Sequence, residues 1–178
     1  MLFVAFAGPA PSQQVWPDAG VRRGTLSFDG KATLGDFTGT TQTVTGQMIG
    51  AATLSGVRGW VQATVNTLKT GNGRRDRDLN KSMESEIYPT IRFQLEGVIP
   101  EWERGDSAGV MLEGDFFIHG VTRRERFPAR IHRSAEGIRL SASLPMNLKD
   151  YSIGGLTRFL LFKMHPDIVV HVDLLFAP

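Results

Sequence analysis

The sequence of 178 residues contains no cysteine. That absence excludes disulfide scaffolds, thiolate nucleophiles and cysteine-ligated zinc or iron–sulfur centres. It also lacks an excess of one charge: Lys and Arg total 20 against 18 Asp and Glu, a formal net charge of +2. So even a balance argues against a dedicated nucleic-acid binder. No apolar run reaches the roughly 18 residues of a bilayer-spanning helix. What remains is a chain with 41% hydrophobic residues, too many for wholesale disorder and of a length that fits one domain with one core.

Residues 1–20 stand apart from that domain. Met1 to Ala10 are almost wholly apolar, and Pro11 to Gln14 turn polar. An apolar stretch followed by Ala5-Phe6-Ala7 resembles the end of a secretory signal, although no Lys or Arg precedes Arg22. The alternative is a loosely docked terminus without an address.

From residue 21 to 178 the hydrophobic period is two, the signature of strands with one apolar and one wet face. Val61, Ala63 and Val65 alternate with Gln62 and Thr64, and Phe93 and Leu95 follow Ile91 at the same spacing. Leu112, Phe116 and Ile118 share a face, as do Phe127, Ala129 and Ile131. Ile138, Leu140, Ala142 and Leu144 form another, and Ile168, Val170, Val172, Leu174 and Phe176 the last. Leu26 and Phe28 pair by spacing, and Gly39 to Gly46 is rich in Thr, a strand former. Turns are expected at Gly71-Asn72-Gly73, Gly105-Asp106, His119-Gly120, Glu136-Gly137 and Gly154-Gly155. One short helix is expected over Leu79 to Met83, capped by Asp78, with Tyr88-Pro89 marking its end or a turn. Many short one-sided strands predict an all-β sandwich or closed barrel, and an eight-stranded barrel has room for one slender ligand.

Two stretches carry a resemblance. The first runs Thr67-Leu68-Lys69-Thr70-Gly71-Asn72, then Arg75-Asp76, Leu79 and Tyr88-Pro89-Thr90-Ile91-Arg92-Phe93. The second is Gly114-Asp115-Phe116-Phe117-Ile118-His119-Gly120-Val121-Thr122 followed by Arg123. In this order and spacing they resemble the YceI-like family, over about Arg22 to Phe176. The resemblance implies an eight-stranded antiparallel lipocalin-like β-barrel with one short helix between strands. It further implies a periplasmic or secreted bacterial protein holding an isoprenoid-type lipid, polyprenyl or quinone-like, as carrier or sequestering protein. The chain departs from the family pattern at Gly24 to Lys31, at Lys149 to Gly155 and at Thr157 to Pro166, which touches the ligand and the pocket mouth rather than the barrel.

An isoprenoid offers almost no hydrogen-bonding groups, so its site must be a long apolar tunnel with polar groups only near a mouth. Alternation assigns the lining to Phe28, Val61, Ala63, Val65, Phe93, Leu95, Leu112, Phe116, Ile118, Phe127, Ile131, Leu140, Ala142, Val170, Val172 and Leu174. Ala63, Gly114 and Ala142 are the small residues that leave room. Arg74 and Arg75 are the candidates for a head group at the mouth, against the competing reading that Arg75 and Asp76 form a local ion pair. Arg123, Arg124, Arg126, Arg130 and Arg133 crowd one stretch with only Glu125 among them; they read as a solvated face or as peripheral contact with an anionic membrane.

No catalytic motif emerges. His119, His132, His165 and His171 have no metal-ligand spacing, and Glu113 and Asp115 are not marked as an acid–base pair. The sequence therefore predicts a binding protein, not an enzyme, with no metal and no cofactor beyond a bound lipid. A haem, metal or enzymatic barrel, and an envelope interaction module with a filled core, are the alternatives. A homodimer is left open.

Overall fold

The computed structural model describes residues 15–33, 35–153 and 164–178. The apolar opening, the Gly154-Gly155 turn and most of the Thr157 to Pro166 segment lie outside the described residues.

The chain forms β1 (Ala19–Gly30), β2 (Phe37–Thr41), β3 (Val44–Ile49), β4 (Arg58–Thr64), α1 (Gly73–Ser82), β5 (Thr90–Arg104), β6 (Ser107–Ile118), β7 (Val121–Ser134), β8 (Gly137–Asn147) and β9 (Asp167–Ala177). β2 and β3 lie along one edge of β1 in a single register, with Leu26 opposite Thr41 and Ala19 opposite Met48. They act as one strand broken at Gln42-Thr43, where the Thr41 hydroxyl accepts the Thr43 N–H at 3.0 Å and meets the Thr67 hydroxyl at 2.6 Å. A side chain that takes over a backbone donor diverts it from the ladder. The strands thus fill eight positions of an antiparallel barrel. β1 and β9 close it, with Gly24 opposite Leu174 and Phe28 opposite Val170. Closure at this seam pairs the two strands that would otherwise be the sheet's edges.

Hairpin chemistry sets the registers. Ile118 pairs with Val121 across His119-Gly120, whose φ values of 50° and 74° match the left-handed pair that a two-residue turn between right-twisted strands requires. Ala135-Glu136 and Gly105-Asp106 close the β7–β8 and β5–β6 hairpins. β5 is bulged between Leu95 and Gly97 and again between Pro100 and Trp102. β7 follows β6 along its whole length but meets β8 only from Ala129 onward.

The helix starts earlier than expected. Asn72, not Asp78, is its cap, and the Asn72 side chain accepts the N–H groups of Arg74 and Arg75 at 3.0 and 3.1 Å. Those are donors that a first helical turn leaves without partners. Asp78 lies inside the helix. Leu79 and the C-terminal Met83 are buried, four residues apart on one face.

Candidate functional site

Along each strand the apolar set points into the barrel. Ile118, Phe116, Leu112 and Val110 of β6 are buried, as are Phe127, Ala129 and Ile131 of β7. These side chains do not fill the space they surround. Two apolar cavities of about 100 and 80 Å3 lie within the barrel, and they share Leu26, Ile91, Phe116 and Val172 as a common wall. The first extends through Phe93, Phe127, Leu140 and Leu174 towards an end plugged by Trp16 and by Leu54 of the Leu54–Gly56 turn. The second extends through Phe28, Ile118 and Val170 towards Leu79 and Met83 of α1, with Leu148, Ile153 and Met164 beside them. The barrel interior therefore holds two greasy chambers that meet at a shared wall.

All the residues assigned to the lining by alternation border one chamber or the other except Val65. Val65 sits just beyond β4 in the Val65–Thr67 turn and is packed solid, with no exposed surface. Gly114 does not leave room: a Cβ there would lie 2.6 Å from the tip of the Phe93 ring, so the aromatic fills the space the glycine vacates. Phe93 in turn stacks with Phe116 at 4.6 Å and Phe127 at 5.3 Å between centroids. Ala63 and Ala142 do border the cavity. The end plugs were not legible from alternation, because Trp16, Leu54 and Met164 lie outside the period-two stretches. Leu79 and Met83 did carry a signal in their helical spacing.

Arg74 and Arg75 border neither chamber. Arg75 lies over the Phe37 ring at 4.2 Å, and Phe37 meets the lining residue Phe28 edge to face at 6.0 Å. Asp76 does not form the ion pair expected with Arg75; it accepts the Thr70 N–H at 2.8 Å and the Thr70 hydroxyl at 2.7 Å. Burial works against the Asp76 carboxylate, yet the Thr70 bonds hold it below its ordinary pKa. The charged or amide side chains that do border a chamber are Gln47 and Arg58, beside Gly59 and Trp60. They stand at the end opposite α1, and Arg58 donates to the Ser55 and Val57 carbonyls at 2.9 Å each.

The basic stretch is largely neutralised by its neighbour strand. Arg124 pairs with Asp115 at 3.2 Å and Arg126 with Glu113 at 3.5 Å, as the β6–β7 register dictates. Arg123 reaches Glu125 at 3.5 Å, and Arg133 lies over the Trp16 ring at 4.8 Å. Glu113 and Asp115 are thus ion-pair partners.

Two of the histidines tie strands together, and His119 ties its turn to two connecting segments. His119 occupies the expected turn with its side chain turned inward: it is 9% exposed, with Nε2 2.7 Å from Glu84 and Nδ1 3.0 Å from the Tyr151 carbonyl. His132 pairs with Ser107, and His171 bridges Ser143 and Asp29. Among the described residues no three His, Asp or Glu side chains converge as metal ligands.

The comparisons with known proteins agree with this architecture. No curated protein matches the chain. Among solved structures, BcnA of Burkholderia cenocepacia superimposes with a TM-score of 0.73 at 14% identity, covering 87% of this chain and 96% of its own. A polyisoprenoid binding domain from Saccharophagus degradans gives 0.73 at 17% identity, covering 92% and 99%. The Campylobacter jejuni YceI protein gives 0.53 at 19% identity, covering 67% and 71%. At these identities the likeness establishes the fold. The sequence itself matches the YceI-like domain over residues 21–176, from β1 to β9, and the chain belongs to the YceI-like family.

Proposed function

We propose that the barrel binds the hydrocarbon chain of an isoprenoid-type lipid, polyprenyl or quinone-like, along its two chambers. The observation that carries this reading is the apolar space itself, two cavities that share Leu26, Ile91, Phe116 and Val172 in their linings. Each methylene moved from water into such a space gains about 0.8 kcal/mol, offset by the ordering of a floppy chain. Fit along the axis, rather than polar contacts, then selects the lipid. The head group belongs beside Gln47, Arg58 and Trp60, the polar border of the first chamber, rather than beside Arg74 and Arg75. A carrier or sequestering role in the periplasm or outside the cell, without catalysis, completes the proposal; the similarity to a polyisoprenoid binding domain supports it.

Organic extraction of the purified protein followed by mass spectrometry tests it, and a stoichiometric long-chain lipid is the expected result. Phe93→Asp and Val170→Asp put a charge into each chamber and are expected to abolish uptake. Because a buried charge also threatens folding, Ala142→Leu fills the first chamber with apolar atoms alone and is expected to reduce uptake in a folded barrel. Unchanged lipid content in folded Phe93→Asp and Ala142→Leu variants would remove the lumen from the proposal.

A further inference from the structure

The outer face of the barrel carries a groove of about 680 Å3, on the opposite side of the strands from the lumen. It crosses β5, β6, β7, β8, β9 and β1 along one line of register. Trp102 lies opposite Gly109, Gly109 opposite Arg130, Arg130 opposite Ser141, Ser141 opposite Asp173, and Asp173 opposite Thr25. At about 4.8 Å per strand this line is roughly 24 Å long.

One end is aromatic. The bulge between Pro100 and Trp102 turns the indole onto the sheet at Gly109, where a Cβ would lie 2.1 Å from Nε1. Only glycine admits that approach, and 40% of Trp102 still faces solvent. The remaining floor is short and hydroxylated, with Ser141, Ser143, Thr25 and Ser27.

The charges are unevenly satisfied. Asp173 receives two bonds from Arg139, and both ring nitrogens of His171 are engaged. The Arg130 guanidinium has no ion pair or hydrogen bond among the described residues, although those of Arg124 and Arg126 on the same strand face have ion pairs. A second guanidinium, Arg104, stands 5.8 Å from the Trp102 ring centroid, with Glu101 as the acid on that side. An apolar ligand would strip water from the hydroxyls without replacing their bonds. A simple anion would use Arg130 and leave the indole bare. A ligand with a flat CH face, many hydroxyls and an anionic group satisfies all three features at once.

We propose that this groove binds an acidic saccharide chain, with a sugar face against Trp102, a carboxylate on Arg130 and ring hydroxyls on Ser141, Ser143 and Thr25. The inference is independent of the lumen reading, because it uses the other face of the strands. Titration of the full chain with a galacturonate oligomer, and separately with a neutral glucose oligomer, tests it by calorimetry and by NMR shifts of the groove residues. Saturable binding of the acidic oligomer is expected, with the neutral one weaker by about tenfold or more. Arg130→Gln, an exposed change, is expected to weaken the acidic oligomer by a similar factor. Arg126→Gln, on the same strand but off the groove, is expected to leave it unchanged. No saturable binding by the folded protein, equal affinity for both oligomers, or equal loss in the two arginine variants would overturn the proposal.

Discussion

His171 on β9 touches Ser143 on β8 with one ring nitrogen and Asp29 on β1 with the other, at 2.8 and 2.9 Å, so a single side chain ties three strands across the barrel's closing seam. The His171 bond, followed by that of the Thr38 hydroxyl, holds Asp29 below its ordinary 3.8. A carboxylate depressed in the folded state stabilises it above the unfolded pKa, and that contribution is lost as pH falls through the folded value. Asp29→Asn is therefore expected to lower the urea midpoint at neutral pH and to make no difference well below pH 3.8. Urea titrations at the two pH values check this. Tyr151, 1% exposed, shifts the other way: burial first, then the charge of Glu125, pushes its phenol from 10.0 up to about 12. A raised pKa stabilises fully below the unfolded value and is lost as pH rises through the folded one. Tyr151→Phe is expected to flatten the loss of stability between pH 10 and 12, read by circular dichroism during alkaline titration.

Among the elements, α1 closes the second chamber with Leu79 and Met83, and its start depends on one amide side chain. Replacing that acceptor strands two N–H groups, so Asn72→Ala is expected to cost about 0.5–2 kcal/mol. Hydrogen exchange should show the loss as faster opening of the α1 amides, with the barrel strands unaffected. The helix start was misread from sequence because Gly73 to Asp78 contains no apolar residue. Periodicity is silent there, and Asp78 is as good a cap by residue type as Asn72. The β6–β7 hairpin shows the reverse case. Its His119-Gly120 turn was legible, and a two-residue turn fixes the register, which places Glu113 opposite Arg126 and Asp115 opposite Arg124. Carrying the turn through to that pairing would have shown the basic stretch to be compensated by its neighbour.

For the whole molecule, ligand binding and stability are linked. A lipid held at about one hundred times its Kd adds roughly 2.7 kcal/mol to the folded state, which in a chain of this size corresponds to about 5–10 °C in Tm. Delipidated protein is expected to melt lower by that amount and to recover on reloading, measured by scanning calorimetry. The strands and their inward faces followed from the sequence alone, because the pleat alternates side chains strictly and a strand with one buried face has one workable register. The hollow interior did not follow, since a void is the volume left after side chains from all the strands have met. Phe93 covers Gly114 while Ala63 and Ala142 stay open to the cavity, and no single strand's pattern distinguishes these outcomes. The plugs at the two ends, the partners of the arginines and the outer groove were likewise decided by residues distant in the chain. Local pattern determines which way a side chain points; only the closed barrel determines what it meets there.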